Sequence, residues 1–422
     1  MQLGHKLIKK AFACLLVSLI NDCIEQTLRW DIRLEVAFTA IKSMNKQESV
    51  MANYILHFNT SSEPSYPYWF NNAAGKCHFD REKVAEELGF MRIDAFSYSW
   101  PDEPQASLSS RMDGLLGGLQ QNDCLIVQWP MPAFGPRWVN LLIDRVHFFG
   151  AKLIFLIDDM ASWQMGIKPP DASSPEMASY LAIPTVAEEF NYLLHADGLI
   201  VHSDAMKSHL SEQLALAGQK LTDNISSYGP GVNKTKYFKG RRQLNNGVDY
   251  AGALHKAKFL QQLSADFKLN IYGAGPKDQV FAKNRAIRLH QRVDPEAIPQ
   301  MLEGSFGLVW DSDTYPDVVG RWGEYERYNT PAKFPMYLSA NEPVIVWSQA
   351  ATAPFVEANQ IGLTIDSMDQ LVQAVQSVTK EQYDKMLTNV ERISPLIRDG
   401  FFLKKAIVDV MSKVYVDHKA FS

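Results

Sequence analysis

The chain has 422 residues, with 42 Lys and Arg against 47 Asp and Glu for a formal net charge of −5, and 46% of its residues are hydrophobic. That is long enough for two to three domains of about 150 residues, each with a sizeable core. The charge balance argues against nucleic acid as a partner, which needs a clustered Lys and Arg footprint. Cys14, Cys23, Cys77 and Cys124 are scattered without a CxxC pair, so neither a zinc site nor a disulfide framework is expected and a reducing compartment fits.

Residues 1–50 read as an amino-terminal extension. Lys6, Lys9 and Lys10 precede an apolar run over 11–20, which is too short to span a bilayer and is not followed by a small-x-small cleavage site. An amphipathic helix lying on a membrane or a partner, and a segment with no fold of its own, both stand as readings. The catalytic unit is expected to begin at Met51, directly ahead of the first strand.

From residue 51 onward, short apolar runs alternate with helical stretches. Strands are expected at 54–59, 92–97, 124–129, 152–158 and 198–203, and helices at 76–88, 107–119, 136–149 and 205–217. Gly89 and Gly150 stand where helices take a left-handed terminator. This βαβα order calls for a parallel sheet wound on both faces. After YGPG and NNG turn signals the alternation starts afresh at Val248, and the stretch 383–418 reads as helical.

Several stretches carry chemistry. Gly252 closes a strand, lets a phosphate approach the backbone, and precedes a helix start at which Lys256 supplies a countercharge; an ordinary strand-to-helix turn explains the same residues. Tyr272, Gly273, Ala274 and Gly275 follow a strand over 267–271. The GxGxxG fingerprint fails because position 278 is Asp, and these glycines instead let a flat base lie against the backbone. Asp311-Ser312-Asp313 spells DxD, read here as an acidic loop without a metal, with Asp311 at the strand end free to bond the hydroxyls of a ligand. Glu324 and Glu326 precede the turn Tyr328-Asn329-Thr330 and could hold ribose or sugar hydroxyls. Thr330 is expected to cap a helix with Pro331 at its first position and Lys333 in its first turn, where a cation is unfavourable unless an anion sits beside it. A phosphate and a solvated surface lysine are both open readings.

In the first half, Asp158-Asp159 ends a strand at the crevice edge where α/β sheets bind ligands. Asn72 precedes the first helix as a cap or as a phosphate contact. Trp129, Trp138 and Trp163 are either core residues or stacking surfaces for a ring-shaped ligand. His195 and His202 are read as packing residues.

The stretch 248–366 resembles the carboxy-terminal half of a bacterial GT-B glycosyltransferase family, the glucosyltransferases that extend O-glycans on serine-rich adhesins and the related β-1,6-galactofuranosyltransferases. The marks are VDYAGALHKAKFL (248–260), LNIYGAGP (269–276), GLVWDSD (307–313) and YNTPAKFPMYLSANEPVIVW (328–347) followed by NQIGLTIDS (359–367). Their order and spacing carry the resemblance. It departs at Ala253, where relatives often have Asn, and at Asp158, where they tend to have His.

The resemblance implies two Rossmann-like doubly wound domains facing a cleft, with the carboxy-terminal helix crossing back. The boundaries are then 1–50, 51–235 on the acceptor side, 236–400 on the nucleotide-sugar side, and 401–422 for the returning helix. It implies a UDP-sugar donor, with glucose or galactofuranose, and a glycan acceptor that is lipid-linked or on a protein. Donor contacts are expected from Asn72, Gly252, Lys256, Tyr272, Gly273, Ala274, Gly275, Asp311, Tyr328, Asn329, Thr330 and Lys333, and acceptor catalysis from Asp159 or Asp158. No metal or other cofactor is expected. A cytoplasmic site at or near the inner face of the membrane fits, and homo-oligomerisation is left open. The rival readings are a catalytically silent binding subunit and a sugar-nucleotide epimerase.

Overall fold

The computed structural model describes residues 51–59, 72–96, 98, 100–131, 135–170, 174–216, 223–245, 247–263, 268–274 and 285–416. The extension over 1–50 lies outside them, as do Gly275 and Pro276. Ala52–Ser422 form one compact unit, and all that follows lies within it.

The first half is a six-stranded parallel sheet. Its strands are β1 (Asn53–Asn59), β2 (Met91–Phe96), β3 (Cys124–Trp129), β4 (Lys152–Ile157), β5 (Gly198–Val201) and β6 (Ile225–Ser227), in the order β2-β1-β3-β4-β5-β6. Helices α1 (Ala73–Glu87), α2 (Gln105–Leu116), α3 (Pro136–Phe148), α4 (Ala161–Gln164), α5 (Met177–Leu181), α6 (Pro184–Leu194) and α7 (Asp204–Leu216) connect them. Expected and observed ends agree to within three residues. The expectation omitted β6, which is three residues long, and α4, α5 and α6, which follow the Asp158-Asp159 turn; α4 and α5 are a single turn or so each, below the length at which helical periodicity is visible, whereas α6 runs for 11 residues. All six residues of β3 are buried, as a strand covered on both faces requires. Gly89 and Gly150 have φ of 90° and 72°, the left-handed geometry expected after α1 and α3.

The second half repeats the plan. Strands β7 (Val248–Ala251), β8 (Leu269–Ala274), β9 (Ile287–Gln291), β10 (Phe306–Val309), β11 (Val344–Trp347) and β12 (Gly362–Ile365) pair in the order β12-β11-β10-β7-β8-β9. Its helices are α8 (Ile298–Met301), α9 (Gly320–Tyr325), α10 (Lys333–Ser339), α11 (Ala353–Asn359), α12 (Leu371–Gln376) and α13 (Lys380–Asp399), and α14 (Phe401–Tyr415) follows. In each sheet the winding reverses beside the first strand, between β1 and β3 and between β7 and β10. Such reversals open a crevice at the carboxyl ends of the strands.

Residues 254–256, expected to begin a helix after Gly252, instead form one 3-10 turn, followed by a second over 258–261. A second correction concerns Thr330. Helix α10 begins at Lys333 with no side-chain cap, because the Thr330 hydroxyl donates across the cleft to the Gly229 carbonyl at 2.9 Å. Pro331 therefore lies in the turn before the helix, where its carbonyl accepts from Phe334 N–H.

The chain crosses back at Gly400. Helix α13 carries a capping box between Thr379 and Gln382 and buries Val390, Ile393 and Ile397 in the second-half core. Gly400 has φ of 76°, and a Cβ there would meet Val84 Cγ2 at 2.3 Å, so only glycine fits. Helix α14 then buries Leu403, Ala406, Ile407 and Val410 against Ile55, Ile126 and Ile200 of the first sheet. Four such side chains contribute about 1.5–3 kcal/mol each, apart from the smaller alanine.

Candidate active site

The carboxyl ends of both sheets line a cleft with two adjoining lobes. The first, a cavity of about 260 Å³, is bounded by Asp158 and Asp159 from the β4 end, Lys256 after β7, Asp311 after β10, and Lys333. The second, about 300 Å³, lies between Asn72 and Lys76 on α1 and Tyr272, Gly273 and Ile298 of the second half. Gly252 and Lys333 line both.

Helix α10 is drawn tight against its sheet. Gly307 has no side chain and so admits the Tyr337 ring, which a Cβ would meet at 2.2 Å. The Tyr337 hydroxyl donates to the Asp249 carbonyl at 3.0 Å and accepts from Ala251 N–H at 2.7 Å. This closeness carries Lys333 inward. Its ammonium ion-pairs with Asp311, donates to the Trp310 carbonyl at 3.1 Å, and lies 4.6 Å above the Tyr250 ring. Tyr250 O–H donates to Asp311 at 3.0 Å. Lys333 is thus a buried, positioned cation rather than a solvated surface lysine.

Lys256 is held differently. Its ammonium lies 3.7 Å from the centroid of the Trp322 ring, and no hydrogen bond to it is formed among the described residues. Burial, with Lys333 nearby, lowers its pKa despite the neighbouring Asp311. A cation so placed, resting on a ring face and turned to a cavity, is supported by the ring quadrupole but makes no ion pair within 4 Å among the described residues.

Across the cleft the two aspartates separate. Asp158 meets Arg81 Nη2 at 2.6 Å and His78 Nε2 at 3.0 Å, both from α1. Burial alone would raise its pKa, but Arg81 and His78 outweigh burial and hold the carboxyl well below the usual range. Asp159 turns the other way, accepting from Gln164 Nε2 at 2.9 Å, with the Tyr325 hydroxyl near enough to favour its charged form. Burial, and then the Asp158 charge, push it up to about 7.

His202, read from sequence as a packing residue, also lines the first lobe. Burial and Arg81 push its pKa down to about 4, so it is neutral. Thr330 N–H donates to its Nδ1 at 3.2 Å, which ties the two halves together. Of the backbone amides leading into α10, that of Thr330 is therefore spent on His202, and Pro331 has none.

Other expected contacts fall out as follows. Asn72 caps α1, accepting from Gly75 N–H at 2.9 Å, and also lines the second lobe. Asn329 lines the first lobe, with its Oδ1 buried and without a hydrogen-bond partner among the described residues. Tyr272 lines the second lobe and stacks on His290 at 4.4 Å, with its hydroxyl donating to the Met301 carbonyl at 3.1 Å. Tyr272, Gly273 and Ala274 lie within β8 and not after it, because the strand runs on to Ala274, and Gly275 lies outside the described residues. Tyr328 lines neither lobe; its ring packs 5.0 Å from both Trp163 and His209, so it joins the halves. Glu324 is spent on Lys168 at 3.1 Å and Arg327 at 3.2 Å. Trp129, Trp138 and Trp163 are buried core residues, not stacking surfaces. Asp313 pairs with Lys258 at 2.9 Å while Asp311 pairs with Lys333, so the carboxylates of the DxD diverge.

Sequence reasoning missed His78, Arg81, Gln164, Trp322 and Tyr325. Each acts on a residue far away in the chain or one turn along a short helix, and no local pattern announces such a contact.

Two facing Rossmann-like sheets with a charged cleft between their carboxyl ends define the GT-B class of glycosyltransferases. The fold is shared with a glycosyltransferase from Rickettsia africae ESF-5, at a TM-score of 0.54 and 10% identity over 87% of this chain and 99% of that one. It is shared too with the sucrose-phosphate synthase of Thermosynechococcus elongatus, at a TM-score of 0.52 and 10% identity over 88% of this chain and 100% of that one. Residues 65–214 match the model of the glucosyltransferase 3-like N-terminal domain and residues 248–410 that of the C-terminal domain. The chain belongs to this family of bacterial glycosyltransferases. Glucosyltransferase 3 of Streptococcus gordonii is 26% identical over 79% of this chain and 93% of its own length. The β-1,6-galactofuranosyltransferase WbbI of Escherichia coli strain K12 is 27% identical over 74% of this chain and 86% of its own.

Proposed function

We propose that the protein transfers a hexosyl group, glucose or galactofuranose, from a UDP-sugar to a hydroxyl of a glycan acceptor, in glycoprotein-glycan or polysaccharide assembly. The observation that carries this reading is Lys256. Its ammonium faces the first lobe beside Lys333 and makes no ion pair within 4 Å among the described residues, which leaves it free to meet a diphosphate.

In this reading the base and ribose occupy the second lobe beside Tyr272 and Gly273, with the diphosphate at Gly252, Lys256 and Lys333. Asp159 takes the proton of the acceptor hydroxyl as that oxygen forms its bond to the anomeric carbon. The bond from that carbon to the diphosphate breaks, and UDP leaves with its charge met by Lys256 and Lys333. One displacement of this kind inverts the anomeric centre. Asp158 stays ionised against Arg81 and positions Asp159 without touching substrate.

Two lysines at the diphosphate make a metal unnecessary, and the divergence of Asp311 and Asp313 supports a metal-free reaction. Among the described residues no helix is long and apolar enough to cross a membrane. We place the reaction in the cytoplasm, where UDP-sugars are made, with the acceptor brought to the cleft.

The test is a scan of UDP-sugars with the purified chain, reading UDP release with and without glycan acceptors and the anomeric configuration of the product by NMR. Acceptor-dependent UDP release with an inverted product is expected. Equilibration of the sugar nucleotide without an acceptor, or no turnover with any donor, would overturn the assignment.

A further inference from the structure

Glu326 is placed by its backbone rather than by its side chain. Helix α9 can lie against the end of β10 because Gly323 has no side chain; a Cβ there would meet the Asp311 carbonyl oxygen at 2.5 Å. Glu326 N–H then donates to the Gly323 carbonyl at 3.0 Å, and its own carbonyl accepts from Ala351 N–H at 2.8 Å. The residue is fixed at both ends, beside Asp311 and on the wall of the first lobe.

Glu326 is 1% exposed, yet neither carboxyl oxygen makes a well-formed hydrogen bond among the described residues. The Asp311 backbone N–H gives it partial support, and Lys333 and Lys256 are near enough to act on it only as charges. A buried polar group without partners costs about 1–3 kcal/mol, so its retention needs a reason. Asp311, which the sequence singled out for donor-sugar hydroxyls, is already engaged by Lys333 and Tyr250. Glu326 is the neighbour with hydrogen-bonding capacity to spare.

We propose that the Glu326 carboxyl grips a hydroxyl of the donor's sugar, and so lets the site tell a sugar nucleotide from the bare nucleoside diphosphate. Burial first, and the Asp311 charge second, hold its pKa well above the ordinary carboxylate range. The group therefore keeps its proton and offers one O–H donor and one carbonyl acceptor. A sugar hydroxyl, which also donates and accepts, matches that pair, whereas a phosphate oxygen uses only the donor. The inference rests on the UDP-sugar reading above.

The test compares Glu326→Gln and Glu326→Leu with the wild type by calorimetry, using UDP, UDP-glucose and UDP-galactofuranose, with thermal melts to establish folding. The amide keeps a donor and an acceptor; leucine has similar bulk and neither. All three proteins should bind UDP within about twofold of one another. Affinity for the preferred UDP-sugar should fall by about tenfold in the Leu variant, the loss of one net hydrogen bond, and be largely kept in the Gln variant. A Leu variant with the wild-type ratio of UDP-sugar to UDP affinity overturns the proposal alone. A Gln variant as impaired as the Leu variant also overturns it, since charge and not hydrogen bonding would then be at work. A wild-type chain that binds no UDP overturns the donor reading and this proposal with it.

Discussion

Asp158 and Asp159 are consecutive, and both backbone N–H groups donate to the Trp129 carbonyl, at 2.6 and 3.3 Å. Their side chains nevertheless part. Asp158 enters the Arg81 and His78 pair, while Asp159 faces Gln164 and Tyr325. The first carboxylate is held ionised, and its charge helps keep a proton on the second near neutral pH. Neighbouring groups whose pKa values are pushed apart are the usual mark of an acid or base at work.

Asp159→Asn should lower kcat by a factor of about 10²–10⁴, the usual worth of a positioned base, while UDP affinity by calorimetry stays unchanged. In the wild type, kcat/KM should rise with pH and level off above about 7, because only ionised Asp159 accepts a proton. The Asn variant should lack that limb. A wild-type profile flat from pH 5 to about 8 would remove Asp159 as the base.

Asp158→Asn should shift the same limb to lower pH, since the like charge that raises Asp159 is gone. It should also cost stability, about 3–5 kcal/mol at pH 7 in urea unfolding, because Arg81 is left buried without its partner. The folded-state pKa of Asp158 lies below its unfolded value, so its contribution is full at neutral pH. The advantage of the wild type should therefore shrink as pH falls below about 4.

The two lysines should behave differently on replacement by alanine. Lys256→Ala should weaken UDP binding by about 1–3 kcal/mol with little change in melting temperature, because its ammonium makes no ion pair within hydrogen-bonding distance. Lys333→Ala should weaken UDP binding comparably and also lower the melting temperature, since Asp311 loses its buried counterion. Unchanged UDP affinity in both variants would remove the diphosphate from this lobe.

Excess EDTA should leave turnover intact. Asp313 is tied to Lys258 and Asp311 to Lys333, so the two carboxylates of the DxD do not converge. Activity lost to EDTA and restored by manganese or magnesium would show that the acidic loop holds a cation.

Gly400→Ala should destabilise the protein by about 2–4 kcal/mol, combining a left-handed backbone with a clash against Val84. Chemical unfolding measures it. A neutral effect would mean that α14 is not clamped to the first sheet at this point.

What the residues determined by themselves was local. Apolar runs of four to seven residues between turn signals specified most of the strands, and Gly89 and Gly150 marked helix ends, because strand burial and left-handed termini depend on neighbours in the chain. The restart of the alternation at Val248 already implied two sheets. Lys256, Asp311, Lys333 and Asp159 were legible as cleft residues because strand ends in doubly wound sheets converge on one crevice. The roles of those residues depended on contacts that no spacing encodes. Arg81 lies 77 positions before Asp158, and Tyr325 lies 165 after Met160, whose N–H its hydroxyl accepts at 2.9 Å. Thr330 looked like a cap and instead bonds Gly229, because a hydroxyl at a domain junction can reach a carbonyl 101 residues away. Which aspartate is paired, and which carboxyl is left without partners, follows from burial and charge in three dimensions. Tertiary structure alone decides these, since desolvation and Coulomb energy depend on distance in space and not on distance along the chain.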